Sequence, residues 1–513
     1  MQKRIYIILA FYFFVALLLF KYFQYYTVTD IVPYLDIAKK YLNGDFYNGI
    51  NGIWGVLISW LLMPFLWLGI KPIISFKILN LFIGALTIFG FDKLIKKFVL
   101  NYKTEWLLLL LSIPAVLSFA LVHTTPDLLV VCILIFYCNI IFSDNYNKNI
   151  WQGILVGFLG GLGYLAKHYF FPFIIVHLFL SHIFHYFSND DQVKKKKIII
   201  NCLISYLVFL TISLSWIFIL SNKYGFFTIG TSMDYNRAWM SPLSRGHVPE
   251  YAGLVSPPNS TANSIWEDLT YYVGLMPNNN WSPLYNLEHQ IKLVFENLKE
   301  TFLIFNKFSL IIGPLLFFYC VIYVVRNFKN KEIFKNKFFL SLVVMLLYSS
   351  GYLLIRTSDR YIWINYFLLL LVGGLILDKI SANLNFSKHK MIINLIILVF
   401  CFSFLFTPIR RLLININQDK RIYDLSVVLS DNGIQGNIAS NKNWSDTSIL
   451  SYYLNTKYFG MPIKNNDEVD IYEQLKNKKI DFYLKWSGDD ESSDLNGSYV
   501  FFKSDDLEVY KIK

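Results

Sequence analysis

Charge is scarce in this sequence. Only 16% of its 513 residues are Asp, Glu, Lys or Arg, and 55% are hydrophobic, whereas an average soluble protein is about 25% charged. This composition excludes a disordered or collagen-like chain and indicates that lipid is the main solvent of the fold. The net charge of +12 would suit nucleic acid, but the basic residues stand in short runs between apolar segments, as in loops at a membrane face. We therefore expect no nucleic-acid partner.

Cysteine and the common catalytic motifs are also scarce. A disulfide framework or a zinc site needs cysteines at characteristic spacings in polar loops, and the sequence offers neither. It contains no phosphate-binding glycine loop, no nucleophile elbow and no Cys/His cluster. It has no internal repeat, which disfavours a transporter built from inverted repeats. The five cysteines all lie inside apolar segments: Cys132, Cys138, Cys202, Cys320 and Cys401.

Eleven apolar stretches are candidate transmembrane helices, which need about 20 mostly apolar residues. The first follows Met1-Gln2-Lys3-Arg4 and lacks small residues suited to cleavage at its far end, so we predict an uncleaved helix rather than a signal peptide. The candidates are 5–23, 73–91, 105–122, 127–142, 150–166, 168–187, 198–220, 302–325, 338–355, 361–377 and 391–408.

Loop charges decide whether a twelfth apolar stretch, 53–69, also crosses the membrane. This stretch is short, contains Pro64 and is rich in tryptophan. If it does not span and the N-terminus is cytoplasmic, the cytoplasmic segments hold nineteen Lys and Arg residues and the short outer loops hold six. If it spans, every later loop changes sides and the run 194–197 of four lysines faces outward. The positive-inside rule therefore predicts eleven spans, with 53–69 as an interfacial or re-entrant helix on the outer face.

The predicted fold class is an all-α polytopic membrane protein of about eleven transmembrane helices with a small C-terminal α/β domain. We predict a transmembrane domain over 1–408, with large outer loops at 24–72 and 221–301, and a soluble domain over 409–513 on the same outer side. About 100 residues suffice for a small independent domain. Within the tail, strands are predicted at 438–439 and 481–484, a short helix at 471–477 and a closing pair of strands over 498–513.

Two carboxylates near the predicted outer ends of helices are candidates for chemistry, since ionisable groups at membrane depth are costly. Asp30 comes after the first helix and is followed by Asp36 and Asp45, while Asp127 opens a later span. One acid would take a proton from an acceptor hydroxyl, and the other would orient that hydroxyl or bind a cation. The alternative is structural: Asp30 would cap a helix over 31–42, and Asp127 would complement a helix dipole. The residues alone leave both interpretations open.

Basic residues on the same predicted face suit a phosphate group. Lys167 and His168 lie in a tight turn between two spans, where a lysine is costly unless it snorkels or pairs. Arg356 and Arg360 share one outer turn, where arginine is disfavoured, and the planar guanidinium matches phosphate oxygens. Lys167 therefore either snorkels or binds phosphate. His168 is either an interfacial aromatic residue or a substrate contact.

The order of these features resembles the GT-C class of polyprenyl-phosphate-sugar-dependent glycosyltransferases, which includes protein O-mannosyltransferases and lipid A aminoarabinose transferases. The resemblance covers mainly 1–180, with a further match at 350–365. Each motif is weak alone, but their order and predicted sidedness agree. The matching stretches are Asp30…Tyr34…Ala38…Gly44-Asp45, Trp54-Gly55…Ser59-Trp60-Leu61…Pro64-Phe65, Thr125-Pro126-Asp127-Leu128-Leu129, Gly163-Tyr164-Leu165-Ala166-Lys167 and Arg360-Tyr361.

The resemblance implies a membrane glycosyltransferase that moves a sugar from a polyprenyl-phosphate donor to a hydroxyl of an envelope glycan, lipid or protein, with inversion. It implies that Asp30 is the general base and Asp127 the second acid; the two could hold one divalent cation or none, and no other cofactor is expected. The expected location is the bacterial cytoplasmic membrane, with the site and tail on the periplasmic face. The resemblance implies that Lys167 with Arg356 or Arg360 holds the lipid phosphate. The full set of predicted substrate-binding residues is Tyr34, Asp45, His123, Lys167, His168, Arg356, Arg360 and Tyr361.

One departure and three rival functions stay open. Many relatives have an Asp-Glu pair in the first loop, whereas Ile31 follows Asp30 here, so Asp36 or Asp45 could share the role of base. A flippase of lipid-linked sugars would explain the many spans, but it explains the folded tail poorly. A polysaccharide polymerase or ligase that uses a lipid diphosphate fits the outer arginines and fits the two acids less well. A non-catalytic sensor whose tail binds envelope glycans is the third alternative.

Overall fold

The computed structural model describes residues 2–143, 146, 149–244, 246–276, 282–383, 386–463, 471–487 and 498–512. Within these residues the chain forms twenty α-helices and one five-stranded sheet. The first ten helices are α1 (Gln2–Phe23), α2 (Ile31–Leu42), α3 (Phe46–Gly49), α4 (Val56–Trp67), α5 (Pro72–Lys97), α6 (Tyr102–Val122), α7 (Asp127–Ile141), α8 (Ile150–Ala166), α9 (Phe170–Phe187) and α10 (Gln192–Tyr224). The other ten are α11 (Ser232–Trp239), α12 (Val248–Tyr251), α13 (Leu287–Ser309), α14 (Ile312–Asn327), α15 (Lys337–Leu353), α16 (Ile364–Asn383), α17 (Phe386–Ile414), α18 (Lys420–Asp431), α19 (Trp444–Leu454) and α20 (Ile471–Asn477). The strands are β1 (Asn437–Ser440), β2 (Lys457–Tyr458), β3 (Phe482–Trp486), β4 (Tyr499–Lys503) and β5 (Leu507–Lys511).

The chain divides into two compact units, and each is assembled from three separate segments. The first, here called the helical unit, comprises Met1–Gln24, Phe76–Asn222 and Gln290–Ile416. The second, here called the α/β unit, comprises Tyr25–Ser75, Lys223–His289 and Asn417–Lys513.

The apolar helices make this chain a multi-pass membrane protein. Among the described residues, seven helices are long and apolar enough to cross a membrane on their own: α1, α5, α6, α9, α10, α16 and α17. A bent pair, α13 with α14, passes the same test together, and α7, α8 and α15 are shorter apolar helices. Every predicted span thus corresponds to one of these helices, apart from 302–325, which corresponds to the bent pair.

The predicted single span 302–325 is wrong in one respect, because the structure breaks it into two helices. α13 ends at Ser309, α14 begins at Ile312, and their axes meet at 115°. Leu310 lies at the break with a φ of +50°, a left-handed conformation that interrupts an α-helix. Helix α13 also begins earlier than predicted, at Leu287, because its first half is amphipathic and carries too little apolar character for a hydropathy search to find.

Glycines bring α8 and α10 of the helical unit into close contact. Gly153, Gly157 and Gly161 recur every fourth residue along α8, which places them on one face of the helix. A Cβ atom on Gly157 would lie only 2.3 Å from the carbonyl oxygen of Ser205 in α10. The Ser205 hydroxyl also donates to the Gly153 carbonyl oxygen at 3.0 Å. Small residues at this spacing are a common way to pack helices in membranes.

The α/β unit is built on the five-stranded sheet, whose strand order is β2-β1-β3-β5-β4. Strand β1 is parallel to β2 and β3, whereas β5 is antiparallel to both β3 and β4. A hydrophobic core that includes Ile438, Leu484 and Val509 packs against α18 and α19 residues such as Leu429 and Leu450. The predicted strands and the predicted helix at 471–477 are confirmed. Helices α18 and α19 and the two-residue strand β2 were not predicted.

The tryptophan-rich stretch 53–69 forms the short helix α4 of the α/β unit. Its 12 residues rise about 18 Å, less than the roughly 30 Å of a bilayer's hydrocarbon core. The helix packs on α2, where the Ser59 hydroxyl donates to the carbonyl oxygen of Tyr34 at 2.9 Å. The interfacial position of α4 stays a prediction.

Candidate functional site

The residues predicted from the sequence to form the site fall into both units. The α/β unit holds Asp30, Tyr34 and Asp45. The helical unit holds His123, Asp127, Lys167, His168, Arg356, Arg360 and Tyr361. The predicted pairing of Asp30 with Asp127 stays a prediction.

Asp127 and Lys167 form an ion pair in the helical unit. Lys167 Nζ lies 2.6 Å from Asp127 Oδ1, and the Thr125 hydroxyl donates to Asp127 Oδ2 at 2.7 Å. The Asp127 side chain is 5% exposed and that of Lys167 is 23% exposed. The carboxylate is therefore enclosed, whereas the Lys167 side chain is partly accessible to solvent.

The topology of two consecutive helices explains this contact. Helix α7 begins at Asp127, and Lys167 is the first residue after α8. Two antiparallel neighbours joined by a short loop bring the start of the first helix beside the end of the second. Lys167 therefore pairs with Asp127. From the sequence, snorkelling to the membrane surface was the alternative to phosphate binding for this lysine. Both residues were predicted from the sequence to belong to the site, but their pairing was not predicted.

Tyrosine rings surround the Lys167 ammonium group. Lys167 Nζ lies 3.8 Å from the centroid of the Tyr361 ring and 5.5 Å from that of Tyr352, both within the range of cation–π contacts. The Arg360 guanidinium carbon lies 5.2 Å from the same Tyr361 centroid. Tyr361 thus holds two predicted phosphate-binding cations, Lys167 and Arg360, at one place.

Asn297 fixes the turn that carries the two predicted arginines. Its Nδ2 donates to the carbonyl oxygens of Leu353 and Ile355 at 3.0 and 3.2 Å. Its Oδ1 accepts from the backbone N–H of Thr357 at 3.1 Å. Arg356 lies exposed within this turn. Nothing in the sequence distinguished Asn297, because its role depends on helix α13 packing beside a turn some 60 residues away.

A second charged cluster of the helical unit was also missed. The Asp359 carboxylate forms ion pairs with Arg411 and with Lys307, whose Nζ lies 3.2 Å from Asp359 Oδ2. Burial would raise the pKa of Asp359, but the Arg411 and Lys307 charges outweigh burial and hold the pKa at about 2. Asp359 is therefore an anion throughout the physiological pH range, and it follows directly after the turn fixed by Asn297.

The two predicted histidines are packed as aromatic rings. His123 stands edge-on to Trp363, with 5.0 Å between ring centroids. Burial and then the nearby Arg411 charge lower the pKa of His123 to about 3, so this imidazole is neutral at pH 7. His168 is buried and packs against Tyr164 at 5.6 Å. Neither Nε2 atom has a hydrogen-bond partner among the residues described.

Asp30 begins helix α2 in the α/β unit. It occupies the N-cap position, yet its side chain makes no capping hydrogen bond to the first turn, which is fully described. The structural interpretation of Asp30 as a helix cap therefore lacks the hydrogen bond from side chain to backbone that defines such a cap. The preceding Thr29 hydroxyl is hydrogen-bonded to the Ser445 hydroxyl of α19, which fixes the backbone next to Asp30.

Tyr34 and Asp45 have different surroundings in the same unit. Tyr34 is buried and stands edge-on to Trp54, with ring centroids 5.4 Å apart. Asp45 accepts hydrogen bonds from Asn48 Nδ2 at 2.9 Å and from Thr261 Oγ1 at 2.9 Å. Slight burial acts to raise the pKa of Asp45, but these bonds outweigh it and lower the pKa, so the group is a weak proton acceptor.

No group of three or more His, Cys, Asp or Glu side chains is arranged to hold a metal ion in the described part of the chain. A divalent cation held by Asp30 and Asp127 stays a prediction.

Comparison with known proteins identifies the fold. No protein-family model and no curated protein matches the chain. Among solved structures, ArnT from Cupriavidus metallidurans bound to undecaprenyl phosphate matches with a TM-score of 0.58 and 10% identity, over 98% of each chain. Its apo state gives a TM-score of 0.58 and 11% identity, over 98% of this chain and 97% of that one.

An oligosaccharyltransferase matches as well. The apo enzyme from Archaeoglobus fulgidus gives a TM-score of 0.53 and 10% identity, over 94% of this chain and 69% of that one. The chain therefore has the GT-C fold, a polytopic helical membrane domain with a small C-terminal sheet, and the predicted fold class is confirmed. Identities this low establish the fold alone, so activity must be argued from the site.

Proposed function

We propose that this protein is a membrane glycosyltransferase that uses a polyprenyl-phosphate-linked sugar as its donor. The observation that carries the proposal is the enclosed Asp127–Lys167 pair beside Tyr361 and Arg360, because it presents two cations to an anionic ligand at one place. One matched GT-C structure contains undecaprenyl phosphate, which supports a lipid monophosphate as that ligand.

The transfer reaction needs a base to take the hydroxyl proton and cations to stabilise the leaving phosphate. The oxygen of an acceptor hydroxyl attacks the anomeric carbon, the bond from that carbon to the phosphate oxygen breaks, and polyprenyl phosphate leaves. Negative charge grows on the phosphate in the transition state, where Lys167 and Arg360 would stabilise it. Attack opposite the leaving group inverts the anomeric configuration.

Asp30 is the proposed general base that takes the hydroxyl proton. It is partly exposed at the start of α2 and makes no capping bond. Asp45, whose pKa is lowered by Asn48 and Thr261, is less suited to the role. Asp127 would pair with Lys167 in the absence of donor and compete with the bound phosphate for its charge. We further propose that the site lies on the periplasmic face of a bacterial cytoplasmic membrane and that the acceptor is an envelope glycan, lipid or protein.

The test uses the full-length protein in nanodiscs with a panel of undecaprenyl-phosphate sugars and envelope extract as acceptor. Wild type should release undecaprenyl phosphate. Asp30→Asn should bind the donor and release none, and Asp30→Glu should recover part of the rate. The control is Asp431→Asn, which changes an exposed acid at the end of α18 and should release at the wild-type rate.

Three outcomes would contradict the proposal. Donor binding without release by the wild type would favour a flippase or a sensor. Release from lipid diphosphates and from no monophosphate would favour a polymerase or ligase. Full activity of Asp30→Asn would remove Asp30 from the role of base.

A further inference from the structure

Helix α13 carries an exposed apolar stripe along the part that belongs to the helical unit. Successive residues of an α-helix are rotated by about 100°, which places four exposed apolar side chains within an arc of roughly 60°. Each of these residues is 48–67% exposed. Such a stripe is costly in water over its whole length and marks a surface that contacts something apolar. Its members are Ile291, Phe295, Leu298 and Phe302.

The neighbouring face of α13 is charged. Five exposed charged residues fall within an arc of roughly 100° beside the apolar stripe, and one further exposed apolar residue, Leu303, lies among them. Because these charges recur along the helix, crossing the bilayer would bury them in hydrocarbon. A helix with an apolar and a charged face side by side lies along the membrane surface instead. The charged residues are Lys292, Glu296, Lys299, Glu300 and Lys307.

The bend between α13 and α14 agrees with this orientation. Helix α14 is apolar, and it exposes Leu315, Phe318 and Ile322 on one face, as a helix in contact with lipid does. The two helix axes meet at 115°. A change of direction this large allows α14 to enter the bilayer while α13 lies along its surface.

The third face of α13 holds the turn 354–360, here called the arginine turn because it carries both predicted arginines. Gln290 Nε2 donates to the Leu354 carbonyl oxygen at 3.1 Å. Asn297, two helical turns further on, makes the three backbone hydrogen bonds described above. Lys307, near the end of the helix, forms an ion pair with an aspartate of the same turn. One helix therefore holds this turn at three levels along its length.

We propose that α13 lies on the membrane surface with its apolar stripe among the acyl chains of the bilayer, and that it thereby holds the arginine turn at the depth of the lipid phosphates. The stripe fixes the depth of the helix, and the hydrogen bonds of Gln290 and Asn297 carry that depth to the turn. The second half of the inference rests on the proposed function, because it takes Arg360 as a ligand of the donor phosphate.

The depth of α13 is tested by nitroxide labels on the full-length protein in nanodiscs. Single cysteines replace stripe residues (Ile291, Phe295, Leu298, Phe302) or charged-face residues (Lys292, Glu296, Lys299), one at a time. The background has the five native cysteines changed to alanine and an unfolding midpoint equal to that of the wild type. Power saturation measures collisions of each label with oxygen, which concentrates in lipid, and with a neutral nickel chelate, which stays in water.

The expected result follows the helical period. Labels on the stripe should collide mainly with oxygen, like a reference label at the exposed Leu315 of α14. Labels on the charged face should collide mainly with nickel, like a reference label at the exposed Asp431 of α18. Nickel contact at every position would place α13 in water, and oxygen contact at every position would make it a span. Low contact with both reagents along the stripe would show that a protein surface covers it. Each of these three results would overturn the proposal.

The link to the arginine turn is tested by the binding of two phosphates. Undecaprenyl phosphate presents its phosphate at the bilayer surface, whereas the short-chain citronellyl phosphate is delivered from water. The double variant Phe295→Gln with Phe302→Gln should raise the Kd of the first phosphate and leave that of the second unchanged. Glu296→Gln is the matched control, since it places the same side chain on the charged face, and should change neither Kd.

Asn297→Ala should raise the Kd of both phosphates about tenfold, because three backbone groups of the turn lose their partner. Gln290→Ala, which removes one hydrogen bond, is the milder variant should Asn297→Ala fail to fold. An unchanged Kd of undecaprenyl phosphate in the double variant would overturn the role of α13 in setting depth. A wild type that binds neither phosphate would instead overturn the proposed donor, while the nitroxide measurement would still decide where α13 lies.

Discussion

Removing either partner of the Asp127–Lys167 pair should change the binding of undecaprenyl phosphate in opposite directions. Lys167→Met deletes one proposed phosphate ligand, so binding should weaken. Asp127→Asn removes the carboxylate that lies 2.6 Å from the same ammonium group. The phosphate then no longer shares Lys167 with a negative neighbour, so binding should tighten.

The structure sets the expected magnitudes. A hydrogen bond between an ammonium group and a phosphate contributes about 1.5–3 kcal/mol. Because Lys167 is 23% exposed and solvent screens its charge, we expect the lower end of this range, a rise of about tenfold in Kd for Lys167→Met. A partly exposed ion pair contributes up to about 1 kcal/mol, and phosphate binding no longer competes with the pair once the Asp127 charge is removed. Asp127→Asn should therefore lower the Kd by about two- to fivefold.

The assay is equilibrium binding of undecaprenyl phosphate to protein in nanodiscs, with the exposed Lys299→Met as a control for the loss of one positive charge. Equal weakening of binding by both variants would contradict this prediction, because Asp127 would then contribute to phosphate binding directly. If a chelator weakened wild-type binding to the same extent, Asp127 would hold a divalent cation that bridges to the phosphate.

Three further predictions concern stability, each measured as the thermal-unfolding midpoint in detergent. Gly157→Ala should destabilise the fold by about 1–3 kcal/mol, because its Cβ would lie 2.3 Å from the Ser205 carbonyl oxygen; an unchanged midpoint would show that α8 and α10 separate freely. The Asp359–Arg411 pair should stabilise the fold fully above about pH 4 and lose its effect as the pH falls towards the depressed pKa of about 2. Asp359→Asn should remove this acid dependence of the unfolding midpoint. Loss of the pair's stabilising effect already above about pH 5 would contradict the prediction. Asp36→Asn should stabilise the fold at about pH 8 by an amount on the order of a few kcal/mol. The raised pKa of Asp36 means that the wild type loses stability as the pH rises from about 4, where the unfolded chain ionises, to about 7, where the folded protein does. The gain should therefore shrink as the pH falls from about 7 towards about 4, and a gain that does not depend on pH would argue against this.

The membrane helices could be predicted from the sequence because a lipid environment requires long apolar runs. The break near Leu310 could not. Apolar character is continuous through that segment, and the 115° bend depends on the backbone conformation of one residue. Similarly, α18 and α19 were missed because most of their stability comes from packing on the sheet rather than from a strong local pattern.

Individual residues of the candidate site could be predicted from the sequence, but their arrangement in space could not. Asp127 and Lys167 stood out because charges are rare in apolar surroundings, and the antiparallel course of α7 and α8 would have predicted their contact. The partners of Asp359 lie on α13 and α17, far away in the sequence. Asp36 resembled one loop acid among several, since its burial depends on the loop 260–263 and on α19.

Release of lipid phosphate by the wild-type protein tests the proposed transferase function most directly. Undecaprenyl-phosphate sugars would be supplied in nanodiscs with envelope extract, and free undecaprenyl phosphate would be quantified by mass spectrometry against a protein-free control. A transferase with Asp30 as its general base should show release that depends on the acceptor and that is lost in Asp30→Asn. Tight donor binding with no release above the protein-free control would contradict it.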